Sequence, residues 1–354
     1  MHIAENRSLA PFTTFGIGGP ARWLVEAASE PEIVEAVEWA QKRGIPLFVL
    51  GGGSNLLISD AGFGGLVLRV ALRGISTVTT EGPNRVYHVA AGEPWEYCVQ
   101  RALEDECAGI ECLAGIPGMV GGTPVQNVGA YGQEVSSVID RVRAFDLHAR
   151  AFVELTAAEC GFAYRRSRFN TVDRGRFIVT RVDYRLTPGG APTLRYAELQ
   201  RAVEAMHPAG SGPTLVEVAD TVRGIRRAKG MLIIEDDPDC RSAGSFFKNP
   251  LVSEDLFQRI AAHSAGTPPR FPAGSGTENA GSVKIPAAWL IEQSGFAKGD
   301  TLGAAGISSR HTLALVNRGG ASAAEILALA QDISSKVETR FGIRLEMEPV
   351  LVGF

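Results

Sequence analysis

The stretch Gly115–Gly132 reads G-I-P-G-M-V-G-G-T-P-V-Q-N-V-G-A-Y-G, and the rest of the chain is organised around it. Its six glycines allow backbone conformations closed to other residues and let a ligand approach the main chain closely. Its two prolines stiffen the turns. Such a rigid, uncharged loop suits a large planar or phosphorylated ligand held by backbone N–H groups. The alternative is a turn-rich surface loop, but Val120, Val125 and Val128 are unusually apolar for one.

A second glycine-rich segment, G-G-G-S-N-L-L at 51–57, directly follows the apolar run Ile45–Leu50. The run predicts a short buried strand, and successive glycines after it place several N–H donors where a pyrophosphate could bind. The segment is neither a Walker loop, which needs Lys-Ser or Lys-Thr, nor the Rossmann G-x-G-x-x-G pattern. Together the two segments predict two backbone clamps on one extended dinucleotide.

Composition limits the possible classes of protein. The 354 residues are 45% hydrophobic and 21% charged, which predicts a folded chain of two or three domains. A net charge of −4 argues against a general nucleic-acid coat. The five cysteines form no C-x-x-C pair, so we expect buried thiols rather than a disulfide framework or a zinc site. With neither a signal peptide nor a membrane-spanning apolar run evident, the chain is expected to be cytoplasmic.

Hydrophobic periodicity predicts alternating helices and strands. A helix is expected between the Ser29 cap and Gly44, and another places Trp95, Cys98, Val99, Ala102 and Leu103 inward. Further helices are predicted near 195–207, 214–229, 286–294 and 322–340, and strands near 66–70, 86–91, 138–147, 176–186 and 313–317. Residues 264–282 are predicted to form a flexible or surface connection.

Several polar residues allow two readings each. The run Y-R-R-S-R at 164–168 fits a solvated basic bend or an anion clamp in which Arg165 or Arg168 grips a carboxylate. Ser245 lies between Gly244 and two phenylalanines, which fits a turn cap or a hydroxyl in a closed apolar site. His311 fits a structural role better than a site. Alternation at 345–348 places Glu346 and Glu348 on one face, exposed or with one carboxylate in a site.

Five motifs taken together resemble the UDP-N-acetylenolpyruvoylglucosamine reductase family. They are the segments at 51–57 and 115–132, Y-R-R-S at 164–167, G-S-F-F-K-N-P at 244–250 and L-E-M-E-P at 345–349. The resemblance spans about Phe12–Phe354. It implies an α+β fold with an FAD-binding cradle of the vanillyl-alcohol-oxidase/PCMH type in two subdomains, plus an α/β substrate-binding domain. The expected bounds are 1–71 with the tail 342–354, then 72–230, then 231–341.

The resemblance also implies an activity. NADPH, as co-substrate, would reduce non-covalently bound FAD, and the UDP-sugar UDP-N-acetylglucosamine enolpyruvate would then be reduced to UDP-N-acetylmuramate for peptidoglycan. NADPH and the UDP-sugar would share one pocket. The expected protein is a cytoplasmic monomer with no nucleic-acid, membrane or metal partner. The alternatives are another FAD oxidoreductase or oxidase of the same fold, or a non-catalytic nucleotide-binding protein.

Site residues follow from the resemblance position by position. Ser245 matches the proton donor, Arg165 the stabilising cation and Glu348 the acidic residue near the C-terminus. The expected FAD contacts are Gly51, Gly52, Gly53, Ser54, Asn55, Gly115, Ile116, Pro117, Gly118, Gly121, Gly122, Asn127, Gly129, Ala130 and Arg226. The expected substrate contacts are Tyr131, Tyr196, Lys229, Asn249 and His311, and Tyr196 belongs to the form with a tyrosine loop over the substrate. The stretch between Lys229 and Ser245 looks longer than is typical.

Overall fold

The computed structural model describes residues 1–79, 82–207, 212–264, 266–272 and 281–354. They divide into two compact units. Unit 1 comprises Met1–Arg7, Ala21–Gly53 and Gly64–Ala228, and unit 2 comprises Ser8–Pro20, Ser54–Phe63 and Lys229–Phe354. The three-part division implied by the resemblance stays a prediction.

Both units mix helices with short strands, as the predicted α+β class requires. The helices are α1 Glu30–Lys42, α2 Trp95–Glu104, α3 Ala197–Met206, α4 Leu215–Ala228, α5 Glu254–His263, α6 Ala287–Gln293 and α7 Ala323–Phe341. The strands are β1 Ala4–Ser8, β2 Pro20–Ala27, β3 Leu47–Leu50, β4 Leu56–Ile58, β5 Phe63–Val70, β6 Ile75–Thr79, β7 Arg85–Ala90, β8 Cys107–Ala108, β9 Gly129–Ala130, β10 Gln133–Glu134, β11 Ile139–Asp146, β12 Ala151–Thr156, β13 Phe177–Pro188, β14 Leu251–Ser253, β15 Phe271–Pro272, β16 Ser282–Lys284, β17 Thr301–Leu302, β18 Ala305–Ile307, β19 Leu315–Asn317 and β20 Val350–Val352.

Unit 1 contains two main sheets. The first has the strand order β1-β2-β5-β3, and β3 runs parallel to β5. The second has the order β12-β11-β13-β7-β6 with antiparallel neighbours, and β8 pairs with the end of β13. Apolar side chains from these strands and from α1, α2, α3 and α4 form one core. The glycine segment at 51–57 directly follows β3, as its sequence predicts.

Helix α2 shows how the sequence pattern sets the packing of unit 1. The five residues predicted to face inward are all buried, so the prediction is confirmed. The Trp95 indole packs 5.6 Å from the Tyr184 ring and donates to the Leu113 carbonyl oxygen at 3.0 Å. A buried indole N–H needs such a partner, since an unpaired donor costs free energy. Helix α2 is thereby joined to the start of the long glycine loop.

Unit 2 is held by a parallel strand pair and a long C-terminal helix. Strand β20 pairs with β4, which brings the chain end back to Leu56–Ile58. Helix α7 begins at a capping box formed by Ser322 and Glu325 and ends at Gly342, whose φ of +67° suits glycine. The Asp60 carboxylate accepts from the Ala323 and Ala324 amides at 2.8 and 3.1 Å, which adds negative charge at the helix N-terminus.

Other expectations had mixed outcomes. All five cysteines are buried free thiols, as predicted. Strand β2 and helix α5 were not predicted from the sequence. The connection predicted at 264–282 includes the short strands β15 and part of β16, and its residues 265 and 273–280 lie outside the described ones. Within the described residues, none of the helices is long and apolar enough to cross a membrane.

Candidate active site

The two glycine segments meet inside unit 1. A Cβ atom added at Gly52 would lie 2.5 Å from the Cα of Gly118, and 2.8 Å from both the Gly118 carbonyl carbon and the Met119 nitrogen. Real Cβ atoms do not approach backbone so closely, so only glycine permits the contact at position 52. The expectation that the two segments act together therefore has a direct geometric basis in unit 1.

The long loop is fixed by its own backbone and by two charged side chains. The Gly115 amide donates to the Glu96 carboxylate at 2.6 Å, and its carbonyl oxygen accepts from Arg226 Nε at 3.0 Å. The Gly121 amide donates to the Ala91 carbonyl oxygen at 2.8 Å. A Cβ atom at Gly121 would lie 2.7 Å from the Ala91 Cβ, which explains the small residue there. These bonds place the loop against β7 and α2.

The remaining amides of the two segments fit the pyrophosphate of the FAD that the resemblance implies. Within the described part of the chain, the amides of Gly51, Gly52 and Gly53 donate to no protein acceptor, and neither do those of Ile116 and Gly118. Backbone N–H groups gathered in this way form an anion-binding concavity. The amides of Gly115, Gly121 and Gly122 are bonded within the protein, so they are not part of this donor set. Unit 1 therefore has a donor set suited to FAD.

Arg226 joins the loop to the predicted tyrosine pair. Its side chain is buried, with 6% exposed, and it also donates to the Tyr131 phenol. Burial lowers the pKa of the Arg226 guanidinium and raises the pKa of Tyr131 to about 12. The Tyr131 ring lies 5.5 Å from that of Tyr196 at 90°, an edge-to-face geometry. The structure thus brings together three residues predicted separately.

Tyr131 lies at the tip of a hairpin. Strand β9, which consists of Gly129 and Ala130, pairs with β10 across Tyr131 and Gly132. The φ angles of these two turn residues are +49° and +86°. Positive φ at both central residues characterises the type I′ turn of a two-residue hairpin. Gly129 is also required, because a Cβ atom there would lie 2.7 Å from Glu134 Cγ. The end of the 115–132 motif therefore encodes a hairpin that presents a tyrosine.

The arginine run divides into distinct roles. Arg168 Nε donates to the Asp173 carboxylate at 2.8 Å and Nη1 to the Glu159 carbonyl oxygen at 3.0 Å, so Arg168 is an internal structural cation. Arg166 is exposed. Arg165 is half-buried beside Gly129, where a Cβ atom would lie 3.5 Å from Arg165 Nη1. Of the two arginines proposed from sequence as anion clamps, the structure favours Arg165.

In unit 2, Ser245 and Glu348 come from segments that pair along their backbones. The Glu348 amide donates to the Phe246 carbonyl oxygen at 2.9 Å, and the Lys248 amide donates to the Glu346 carbonyl oxygen at 2.9 Å. The Phe246 amide donates to the Leu313 carbonyl oxygen at 2.8 Å, so a third segment fixes the same strand of chain. The residue after Ser245 is thus bonded to both neighbouring segments.

Ser245 lies at the edge of an apolar cluster. Phe246 and Phe247 are buried, with ring centroids 5.4 Å apart, and Gly244 has a φ of +72°. Among the described residues, the Ser245 hydroxyl makes no hydrogen bond to the protein. It is not a turn cap, since Ser242 Oγ instead accepts from the Gly244 amide at 3.2 Å. A half-buried hydroxyl of this kind is suited to act on a ligand.

The terminal carboxylates and Asn55 separate into different environments. Glu346 is exposed and pairs with Lys248 at 2.5 Å. Glu348 is half-buried, and its carbonyl oxygen accepts from Asn55 Nδ2 at 3.2 Å. The Val350 amide donates to the Asn55 carbonyl oxygen at 2.9 Å, so Asn55 fixes the tail on both sides of Pro349. The side chain of Asn55 thus supports the Glu348 backbone.

The other expected substrate residues of unit 2 lie outside its helices and strands. Asn249 Oδ1 accepts from the Ala287 amide at 2.9 Å at the start of α6. His311 is half-buried, and its amide donates to Ser308 Oγ at 3.3 Å. Lys229 is half-buried next to Gly230, whose φ is +66°. The structure places His311 and Lys229 on either side of a cluster that the sequence analysis did not identify.

That cluster consists of Asp237, Asp239, Ser309 and Arg310. Arg310 pairs with both aspartates, its Nε lying 3.0 Å from Asp239 Oδ2, and Ser309 Oγ donates to Asp239 at 2.6 Å. A Cβ atom at Gly230 would lie 2.9 Å from Asp239 Cβ. Arg310 lies 71 residues from Asp239 and 73 from Asp237 in the sequence, so no local pattern indicated the cluster. No group of metal-ligating side chains occurs in the described ranges.

Two family models match the chain. The FAD binding domain matches residues 21–149, and the C-terminal domain of UDP-N-acetylenolpyruvoylglucosamine reductase matches residues 236–352. The first match contains the clamp at Gly51–Gly53 and the long glycine loop. The second contains Ser245, the Arg310 cluster and Glu348. The matched ranges therefore include the glycine segments and the Ser245–Glu348 pairing, whereas Arg165, Tyr196 and Arg226 lie between the two ranges.

Full-length relatives agree with these models. A UDP-N-acetylenolpyruvoylglucosamine reductase of Thermobifida fusca is 44% identical, with 99% of this chain and 98% of the relative covered. One of Streptomyces coelicolor is 45% identical, with 98% and 89% covered. The crystal structure of the enzyme from Thermus caldophilus is 27% identical, covers 99% of both chains and has a TM-score of 0.65. The resemblance inferred from five motifs is confirmed, and this chain belongs to the UDP-N-acetylenolpyruvoylglucosamine reductase family.

Proposed function

We propose that this chain reduces UDP-N-acetylglucosamine enolpyruvate to UDP-N-acetylmuramate with bound FAD and NADPH, a step of peptidoglycan synthesis. The observation that carries the proposal is the backbone pairing of the Ser245 and Glu348 segments through Phe246 and Glu348. A cradle kept only as a nucleotide-binding scaffold has no need of this arrangement. An oxidase of the same fold would keep the glycine segments but would have no need of this backbone pairing.

Unit 1 supplies the cofactor site. The amides of Gly51–Gly53, Ile116 and Gly118 would hold the pyrophosphate, and Arg226 would add a buried positive charge near Gly115. When bound, FAD supplies the two-electron chemistry that takes a hydride from NADPH and gives it to the terminal alkene carbon of the substrate. Arg226 has its charge disfavoured by burial, so an anion bound nearby would relieve that cost.

Arg165 is the cation assigned to the developing negative charge. Hydride addition to the enolpyruvyl group leaves carbanion character beside its carboxylate, delocalised as an enolate. A planar guanidinium pairs with a carboxylate through two parallel hydrogen bonds and strengthens as the charge grows. We assign this role to Arg165 because it matches the arginine of the family motif and lies beside Gly129 of the hairpin that presents Tyr131.

Ser245 is the proton donor in this proposal. A hydroxyl is a weak acid in water, but it donates to a strongly basic carbon when it is positioned and desolvated. The buried Phe246 and Phe247 beside it restrict water, and the backbone bonds of Phe246 fix its position. Glu348 would orient the substrate carboxylate region. The substrate contacts assigned by similarity are Tyr131, Tyr196, Lys229, Asn249 and His311.

An absorbance experiment tests the function. Purified protein should be yellow, lose its flavin absorbance with NADPH and regain it anaerobically when UDP-N-acetylglucosamine enolpyruvate is added. Recovery only in air would instead indicate an oxidase. Colourless protein that takes up no FAD would support a non-catalytic binding protein.

We also infer that the enzyme acts in the cytoplasm as a monomer, without nucleic-acid or membrane partners. Its substrates NADPH and a UDP-sugar are cytoplasmic metabolites, and its five buried thiols suit a reducing compartment. Light scattering on a size-exclusion column measures the oligomeric state directly. A mass of twice 37.6 kDa would contradict the monomer.

A further inference from the structure

We infer that Asn127 is a positioning residue, which holds the turn that carries Arg165. Sequence similarity assigns Asn127 to FAD binding, whereas its side-chain bonds in unit 1 all go to protein groups around Arg165. The inference rests on the proposed function, because it concerns the same guanidinium. It predicts that a substitution of Asn127 slows only the half-reaction in which the enolpyruvyl substrate reoxidises the flavin.

The turn itself is tight and holds Arg165 in an unfavourable backbone conformation. Ala163 and Arg166 exchange two backbone hydrogen bonds of 2.9 and 3.0 Å, which leaves Tyr164 and Arg165 at the centre. Arg165 has a φ of +55°, in the left-handed region that few residues other than glycine occupy. Such a conformation persists only when surrounding bonds impose it, and it often marks a functional position.

Asn127 supplies one of these bonds from the glycine motif. Its side chain is 1% exposed, and Nδ2 donates to the Ala163 carbonyl oxygen at 3.1 Å and to the Glu134 carboxylate at 2.8 Å. Its Oδ1 accepts from the Ser136 amide at 3.1 Å. Both donor hydrogens of the amide are therefore used within the protein. A contact between Asn127 and FAD would fall to its backbone.

The same amide fixes the surface against which Arg165 lies. Glu134 belongs to β10, which pairs with Gly129 of β9, and Gly129 is the residue beside Arg165 Nη1. Asn127 thus links the turn that carries the guanidinium to the hairpin that flanks it. The opposite end of the turn is held by Asn170 Nδ2, which donates to the Arg165 carbonyl oxygen at 3.2 Å.

Asn127→Gly is the sharpest test, because glycine keeps the φ of +45° at this position while removing only the amide. We expect anaerobic reoxidation of the flavin by the enolpyruvyl substrate to slow about 10- to 100-fold, as for a catalytic group displaced by about 1 Å. Bleaching by NADPH and the FAD content should stay at wild-type values. In an Arg165→Lys background the same change should add little, since the guanidinium it positions is already absent.

A second measurement does not depend on the substrate. The turn contains Arg165 and Arg166, so loosening it should speed tryptic cleavage after these residues, as followed by mass spectrometry. The matched control is Asn317→Ala in unit 2, which removes another buried amide that donates to a carbonyl oxygen, that of Phe15 at 2.9 Å. It should change neither this cleavage nor the ratio of the two half-reactions.

The outcomes separate the inference from the proposed function. Wild-type protein that the enolpyruvyl substrate cannot reoxidise would overturn the function, while faster cleavage at the turn in Asn127→Gly would still support the structural link. Equal slowing of both half-reactions, or loss of FAD, would assign Asn127 to the cofactor and overturn the inference. If Asn127→Gly does not fold, Asn170→Ala removes the other support. Wild-type reoxidation and cleavage in that variant would contradict a held turn.

Discussion

Unit 1 and unit 2 hold their candidate residues by different means. In unit 1 the functional backbone is shaped by local turns, with positive φ at Asn127, Tyr131 and Arg165 and close glycine contact at Gly52. In unit 2, neither Ser245 nor Glu348 has a positive φ, and their segments are joined by backbone bonds between distant parts of the chain. The geometry of the candidate residues in unit 1 thus depends on which residue occupies each position. In unit 2 it depends on which segments of the chain pair with one another.

The two buried or half-buried arginines sharpen this contrast. Burial lowers the pKa of Arg226 in unit 1, where its side chain donates to a carbonyl oxygen and a phenol. In unit 2 the hydrogen bonds with Asp237 raise the pKa of Arg310. A guanidinium whose charged form is disfavoured by burial is suited to binding an incoming anion. A guanidinium neutralised by two carboxylates is suited to holding a loop.

The largest effect is expected from removing the reactive group of unit 2. Ser245→Ala should slow reoxidation by the enolpyruvyl substrate about 10²- to 10⁴-fold, the range for losing a general acid. Bleaching by NADPH should persist, since no proton from Ser245 is needed there. Stopped-flow absorbance separates the two half-reactions.

Ser253→Ala is the matched control for this change. Ser253 caps α5 by accepting from the Leu256 amide at 3.3 Å, so its loss should lower stability without changing either half-reaction. Equal slowing of both half-reactions in Ser245→Ala would remove the assigned proton-transfer role.

The next effect tests the local geometry of unit 1. Arg165→Lys keeps the charge but loses the planar fork, so we expect reoxidation to slow about 100-fold, or about 3 kcal/mol of transition-state stabilisation. Arg166→Lys changes the exposed neighbour in the same turn and should leave the rate unchanged. Near-wild-type turnover in Arg165→Lys would mean that this turn is only a solvated basic bend.

A third change tests the close approach of the glycine segments. Gly52→Ala would place a Cβ 2.5 Å from the Gly118 Cα, and since backbone cannot yield cheaply we expect a cost of about 1–3 kcal/mol and loss of bound FAD. Gly64→Ala adds a methyl group in open space and should retain FAD. Flavin absorbance relative to protein absorbance measures the occupancy. Full occupancy in Gly52→Ala would show that FAD binding does not need this approach.

The candidate residues of unit 1 were more predictable from the sequence than those of unit 2. Glycine and proline restrict the backbone locally, so the segments at 51–57 and 115–132 indicated clamps before any fold was known. The inward residues of α2 followed from helical periodicity. The sequence did not show that Gly115 and Gly121 use their amides within the protein, because those bonds depend on Glu96 and Ala91 after folding.

The part in unit 2 was predictable only through resemblance. Alternation placed Glu346 and Glu348 on one face, yet Glu346 is exposed and Glu348 is half-buried, because their surroundings come from the Ser245 segment. No local pattern indicated that Arg310, far along the chain, pairs with Asp237 and Asp239. Contacts between distant segments leave no trace in local periodicity.

The smallest effect concerns the Arg310 cluster and its dependence on pH. Hydrogen bonds from Arg310 lower the pKa of Asp237, and although burial alone would raise the pKa of Asp239, bonds from Ser309 and Arg310 lower it overall. Carboxyl groups with lowered pKa stabilise the fold above their unfolded pKa of about 3.9, and this contribution is lost as pH falls through the folded pKa. Wild-type stability should therefore decline below about pH 4.

Arg310→Gln should remove this contribution at neutral pH. We expect the free energy of unfolding in urea to fall by about 1–2 kcal/mol at pH 7, with the difference from wild type narrowing as the pH is lowered to 3, because the wild-type contribution is progressively lost below about pH 4. Arg270→Gln breaks an exposed two-pronged pair with Glu254 and should give no resolved change, because exposed pairs contribute little. A difference that stays constant between the two pH values would mean that Arg310 acts through packing. Arg310 of unit 2 would then no longer contrast, as a neutralised cation, with the buried Arg226 of unit 1.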